Sequence, residues 1–364
     1  MKRLHPLSIL ACWLALTASA VAQVSLAPPP GAPTPLVTNK PAAKPKAKAP
    51  AVKKPAVAVA PKPAATPVAP EATVTPAPVP DDPNVDLVYG AYQRGMYKTA
   101  FDLASKRAAA GDPKAMTMLG ELYGNALGVK RDFAKSADWY KRAADAGDRE
   151  AMFALAMLRL EGRGGAPNRE EAVKLLASSA KLGNPKAAYN LALLYLDGQT
   201  LPQDVKRAAE LLRQAADAGN PEAQYALATF YKEGTGVPKD IDKAVRLLQA
   251  AALADNVDAE VEYAIALYNG TGTPKNEAGA VALLSKAARQ NSAIAQNRLA
   301  RVLVTGQGVP MDKVEGLKWH LIAKTAGKGD PMLDDELARL SPEDRAKAEA
   351  GARKWLGSPV LTPR

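Results

Sequence analysis

The chain has 364 residues, a formal net charge of +11, 30 prolines, 5% aromatic residues and a single cysteine, Cys12. That length suffices for a large core, and one cysteine excludes an intrachain disulfide or a cysteine metal cluster. The charge does not mark a nucleic-acid binder: residues 1–84 hold nine Lys/Arg against three Asp/Glu, which leaves 39 against 34, or +5, interspersed over residues 85–364.

Residues 1–22 read as a secretory signal peptide. Lys2 and Arg3 give the charged start, Leu7 to Leu16 the apolar run, and Ala20-Val21-Ala22 a small-x-small cleavage site. The apolar run is short for a membrane span, so cleavage is expected, with an uncleaved inner-membrane anchor as the alternative. Cleavage after Ala22 would leave a mature chain without cysteine, located in the periplasm or secreted. Ile9-Leu10-Ala11-Cys12 faintly resembles a lipoprotein box, but it lies too early and a better site follows at Ala22. Residues 23–84 hold 17 prolines and no aromatic residue, so they cannot bury enough area to offset ordering and are expected to be a disordered linker. Extended at ~3.1 Å per residue, they reach up to about 190 Å. Lys40, Lys44, Lys46, Lys48, Lys53, Lys54 and Lys62 face one acid, Glu71, before Asp81. A solvated spacer is the plain reading; a tether to anionic cell-wall polymer or lipid is the sharper one.

Structure is expected from residue 85. Leu87, Tyr89, Tyr92 and the run Ala100 to Ala110 predict a degenerate helical pair over 85–112, turning at Arg94-Gly95-Met96. Then a 36-residue period sets in. Gly111, Gly147, Gly183 and Gly219 keep the step, Asp255 and Asn291 continue it, and Gly329 follows 38 later, which predicts a last unit with two extra residues. Asp112, Asp148, Asn184, Asn220, Asn256, Ser292 and Asp330 form one column of helix N-caps; Asp132, Asn168, Asp204, Asp240, Asn276 and Asp312 form a second. Pro113, Pro185, Pro221 and Pro331 follow the first column, where a missing N–H costs nothing. Two capped helices per unit predict a helix–turn–helix array. Ala115, Ala151, Ala187, Ala223, Ala259 and Ala295 form an unbroken small column, followed one helical turn later by Leu or Tyr and then by Gly or Ala. Large side chains of one helix are thereby set against small ones on its neighbour.

The pattern Ala-x3-Leu-(Gly/Ala)-x2-Tyr, Gly-x-Gly-Val-x-x-Asp, Ala-x2-(Trp/Leu)-(Tyr/Leu)-x2-Ala-Ala-x2-Gly resembles the Sel-one-like repeat family, a relative of the tetratricopeptide repeat. It covers about residues 113–330 in six units, with local departures at Arg159, Thr200, Asp255 and Asn291. The resemblance implies an all-α, right-handed α/α superhelix (solenoid), and a protein that mediates protein–protein contacts. Residues 331–364 are expected to close the far end: Ser341 as N-cap, Pro342 first in the helix, Gly357 as the stop, then a frayed tail.

Little points to catalysis. Loops such as Gly234-Thr235-Gly236 follow a helix, not the strand a phosphate loop requires, and recur in each unit. His320, the one histidine after His5, falls in the core column of Tyr140, Leu176, Leu212, Leu248 and Leu284 and is read as a packed histidine. Glu170-Glu171 and Asp334-Asp335 are read as first-turn surface charges. No nucleophile–base–orienter set assembles, and no catalytic residue, metal, cofactor or nucleic-acid partner is expected. A hydrolase remains the remote alternative.

A second face of the first helices repeats as Phe153/Met157/Leu160, Tyr189/Leu193/Leu196, Tyr225/Thr229/Lys232 and Val261/Ile265/Tyr268, edged by Lys114, Glu150, Lys186, Glu222, Asp258 and Ile294. It reads either as a concave groove for a partner segment or as packing between units. The groove reading assigns Phe153, Tyr189, Tyr225, Lys114, Lys186 and Glu222 to partner binding. The expectation is thus a non-catalytic scaffold, adaptor or regulator that binds a protein or peptide segment in the bacterial cell envelope. A cell-wall-associated factor held by its lysine-rich linker is the alternative.

Overall fold

The computed structural model describes residues 86–357; the signal, linker and tail expectations lie outside them. Among the described residues there are sixteen α-helices and no strand. A first pair, α1 (Leu87–Gln93) and α2 (Tyr97–Ala109), turns at residues 94–96 as expected. Six pairs follow, and every helix in them has 13 residues: α3 (Pro113–Asn125) with α4 (Phe133–Asp145), α5 (Arg149–Glu161) with α6 (Arg169–Lys181), and α7 (Pro185–Asp197) with α8 (Val205–Asp217). Then come α9 (Pro221–Glu233) with α10 (Ile241–Leu253), α11 (Val257–Asn269) with α12 (Glu277–Arg289), and α13 (Ala293–Thr305) with α14 (Lys313–Thr325). The closing helices are α15 (Pro331–Arg339) and α16 (Pro342–Leu356). Each second helix packs on its own first helix and on the first helix of the next unit, so the described residues stack as a solenoid.

Uniform length follows from uniform ends. Asn184 Oδ1 accepts from the Ala187 amide at 2.9 Å and Asn220 Oδ1 from the Ala223 amide at 2.7 Å. Asp132, Asn168, Asp204, Asp240, Asn276 and Asp312 make the matching bond, three residues on, in the second helices. Each such cap stabilises its helix by about 1 kcal/mol. The small column is therefore doubly fixed: Ala115 through Ala295 are all buried, and their amides are the capped ones.

The turns keep their geometry where glycine is replaced. Asp255 and Asn291 hold φ of 62° and 65°, in the left-handed region that Gly111, Gly147, Gly183 and Gly219 occupy at 84–90°. One expectation is corrected. The period does not lengthen at Gly329: Gly327 stands 36 residues after Asn291 with φ of 75° and closes α14. The two extra residues lie between that turn and the Asp330 cap of α15. The C-terminal end closes as α16 lays Trp355 edge-on to Trp319 of α14, with ring centroids 5.0 Å apart.

Candidate functional site

The first helices open a groove of about 630 Å³ at the N-terminal end of the stack. Its floor and walls come from Val88, Tyr89 and Tyr92 of α1 and from Thr117, Met118 and Glu121 of α3. Its charged edge is Lys114, Glu150 and Lys186, one from each of three successive first helices. The groove is firmly held below. Arg107 pairs with Asp86 at 2.9 Å and with Asp112. Glu121 accepts from the Tyr140 hydroxyl at 2.9 Å and from Asn125 Nδ2 at 2.7 Å. Burial, followed by the Glu121 carboxylate, raises the pKa of the Tyr92 hydroxyl. Glu150 accepts from Asn184 Nδ2 at 2.9 Å, which ties the rim of one unit to the cap of the next. Lys114 and Lys186 are exposed and pair with no acid among the described residues.

The residues assigned from sequence separate by burial. Lys114 and Lys186 line the groove, while Glu222 is half-buried at the same position, three units beyond the first and one beyond the second. Phe153 and Tyr225 are half-buried. Tyr189 is only 8% exposed, and Leu193 and Leu196 of its stripe are buried with it. The Tyr189 hydroxyl is buried without a hydrogen-bond partner; burial, then the Glu222 charge, pushes its pKa up to about 12. Burial likewise raises Tyr225, with Glu262 and Asp258 adding to it. Tyr89, 54% exposed, and Tyr92 were not singled out from sequence as binding residues, because their unit lacks the repeat's columns. The available signal was two tyrosines three residues apart on one helix face.

Elsewhere the chemistry is that of packing. His320 is fully buried, with Nε2 2.7 Å from Asp334 Oδ1; Lys324 Nζ lies 2.8 Å from the same oxygen. Asp334 is thus a partner of a buried histidine, not the free surface charge expected from its neighbour Asp335. Glu171 pairs with Arg159 at 2.8 Å, which accounts for an arginine where tyrosine is usual. The loop glycines serve close approach between units: a Cβ on Gly164 would stand 2.2 Å from the Phe133 carbonyl oxygen. Among the described residues, no three His, Cys, Asp or Glu side chains gather to hold a metal, and no helix is long and apolar enough to cross a membrane.

The Sel1 repeat model matches six consecutive windows, residues 113–148, 149–184, 185–220, 221–256, 257–292 and 293–328, together more than half of the chain. Among solved structures, the chain is similar to a Sel1 repeat protein from Oxalobacter formigenes, at 28% identity and a TM-score of 0.59, over 66% of this chain and 98% of that one. It is also similar to a protective antigen present in uropathogenic Escherichia coli strains that displays the same repeat fold. That match has 26% identity and a TM-score of 0.52, over 72% of this chain and 65% of the antigen. Among curated proteins, none matches the chain.

Proposed function

The chain belongs to the Sel1 repeat family, whose members are generally protein-interaction scaffolds, and from that premise we propose that it is a non-catalytic adaptor or regulator of the bacterial cell envelope. It holds a segment of a partner protein against the exposed face of its first helices. One observation carries this reading: an open groove whose two lysines, Lys114 and Lys186, pair with no acid among the described residues. Some charged side chains elsewhere on the stack find partners within their own helix, as Lys141 does with Asp145 and Arg207 with Glu210. The envelope location rests on the leader pattern of residues 1–22.

The test is a photo-crosslinking side chain placed in the full-length protein at Tyr89, at Lys186, or at Leu253, which is exposed at the C-terminal end of α10. Capture of the same discrete protein from positions 89 and 186, but not 253, supports the reading. Equal capture from all three removes it. A second reading draws on the excess of lysine over acid between residues 40 and 71. There the linker holds the protein on anionic cell wall. Deleting residues 23–84 should then abolish co-sedimentation with purified wall while groove capture persists.

A further inference from the structure

The acids that line the N-terminal groove all have partners within the chain, and two of its cations have none. Asp86 accepts from Arg107 Nη1 at 2.9 Å, and Arg107 Nε also donates to Asp112 at 2.7 Å, so the guanidinium in the lining is occupied. Glu121 accepts from the Tyr140 hydroxyl and from Asn125. Glu150 accepts from Asn184 and lies 3.4 Å from the Arg149 guanidinium. Lys114 and Lys186 remain: both are exposed, and neither ammonium pairs with an acid among the described residues. The groove thus offers an occupant two charged donors that no acid of the described chain satisfies, and charge-assisted hydrogen bonds are the strong ones. Glu121 follows Lys114 by about 10 Å of helix rise, so its charge stands toward the other end of α3. Apolar surface is open beside the lysines: Tyr89 is 54% exposed, and Val88 and Met118 line the same space.

The arrangement selects among anions. Lys114, Glu150 and Lys186 hold the same position on three successive first helices, which puts a carboxylate between the two ammoniums. One phosphate or one acidic sugar bridging both lysines would meet Glu150, and like charges repel. Separate carboxylates on a peptide can pass it on either side. The chain's own linker is no match, because residues 40–71 carry seven lysines against one acid.

We propose that the groove takes an acidic segment of a partner protein, with a carboxylate for each of Lys114 and Lys186 and a bulky apolar side chain against Tyr89 and Met118. The inference rests on the groove reading and adds to it the chemistry of what is held.

The test is fluorescence anisotropy with the full-length protein and labelled probes of one length: a Glu/Gly/Ser peptide with one Phe, the same peptide with Gln or with Lys for Glu, and the same with Gly for Phe. The Glu peptide should bind at least about tenfold tighter than the Gln and Lys peptides at low salt, an advantage that shrinks as salt screens it. Loss of the Phe should weaken binding about tenfold. Lys114→Glu with Lys186→Glu should turn the preference toward the Lys peptide. Lys174→Glu with Lys206→Glu, at exposed positions of the second helices α6 and α8, changes net charge equally and should leave the preference in place. Should the reversal variant unfold, Lys114→Gln with Lys186→Gln should abolish the preference instead. In the protein captured by crosslinking from position 89 or 186, the attached stretch should carry an excess of Asp and Glu. No preference for the Glu peptide overturns the proposal, and so does a preference lost equally in the second-helix variant. A captured stretch that is neutral or basic also overturns it, while the groove reading stands; equal capture from 89, 186 and 253 removes both. Binding to phosphatidylglycerol vesicles, or self-association, that needs Lys114 and Lys186 while the Glu peptide does not bind makes the occupant a membrane or a second copy, and overturns the proposal.

Discussion

Gly120 is the one glycine in a column that otherwise reads Ala156, Ala192, Ala228, Ala264 and Ala300. Twenty residues on, its unit carries Tyr140 where four of the others carry Leu176, Leu212, Leu248 and Leu284. The structure joins the two exceptions. A Cβ on Gly120 would stand 2.6 Å from Cδ1 and Cε1 of the Tyr140 ring, where ordinary contact is about 3.5–4.0 Å. The ring cannot easily yield, because it is buried and its hydroxyl is held by Glu121. Gly120→Ala should gain about 0.8–1.0 kcal/mol of helix propensity and lose about 1–3 kcal/mol to overpacking. The net is a destabilisation of roughly 0–2 kcal/mol. Adding Tyr140→Leu recreates the Ala–Leu pairing of the other units, so the double-mutant cycle should show favourable coupling of about 1–3 kcal/mol. Stacked arrays open locally, so hydrogen exchange read separately over α3 and α4 is the assay. Additivity of the two changes to within about 0.3–0.5 kcal/mol would refute the pairing.

Gly219 follows α8 at φ 84° with nothing within 4 Å of an added Cβ, so Gly219→Ala isolates the backbone cost. It should destabilise by about 1–2 kcal/mol in chemical denaturation, and no loss would mean that the turn can relax. Tyr189→Phe removes a buried hydroxyl that has no partner, so thermal stability should hold or rise, whereas Tyr189→Ala should cost about 3–5 kcal/mol. The reverse ranking would place the ring at the surface. Acid should loosen the C-terminal cap. Burial raises the carboxyl pKa values of Asp330 and Asp334, but hydrogen bonds from Arg301 to the first, and from Lys324 and His320 to the second, outweigh it and hold both below the ordinary range. Their contribution is complete above the unfolded value of about 4 and is lost as pH falls through the lower folded values. Tryptophan fluorescence of the Trp319–Trp355 pair should therefore change below about pH 4 and stay flat above it.

The fold was legible because its constraints are local and repeated. A glycine, the short polar cap after it and a proline after that each act within one turn of helix and recur by the 36-residue period, so Gly219, Asn220 and Pro221 declare themselves without tertiary knowledge. The site was legible only in part. Lys114 and Lys186 could be placed by column, but helical spacing does not say whether an aromatic residue faces a groove or a neighbouring unit. Tyr189 lies buried and Tyr225 half-buried at the same register. The His320–Asp334 contact joins α14 to α15 across an irregular turn, where the period gives no register. The degenerate first pair hid Tyr89 and Tyr92 for the same reason.

A division of labour along each first helix explains what the repeats can and cannot vary. The capped alanine has no freedom: its side chain is buried against a neighbour and its amide is committed to the cap. One residue earlier, the side chain meets solvent or half-meets it, and nothing in the packing selects its type. There the chain places Lys, Glu, Lys, Glu, Asp and Ile in turn. A column that packing does not constrain is the one place where a partner's chemistry can be written without disturbing the stack. Exchanging those residues among units, with every alanine untouched, should therefore leave the unfolding profile in place and redirect what the groove binds. A loss of folding from such exchanges would show that the column belongs to the core after all.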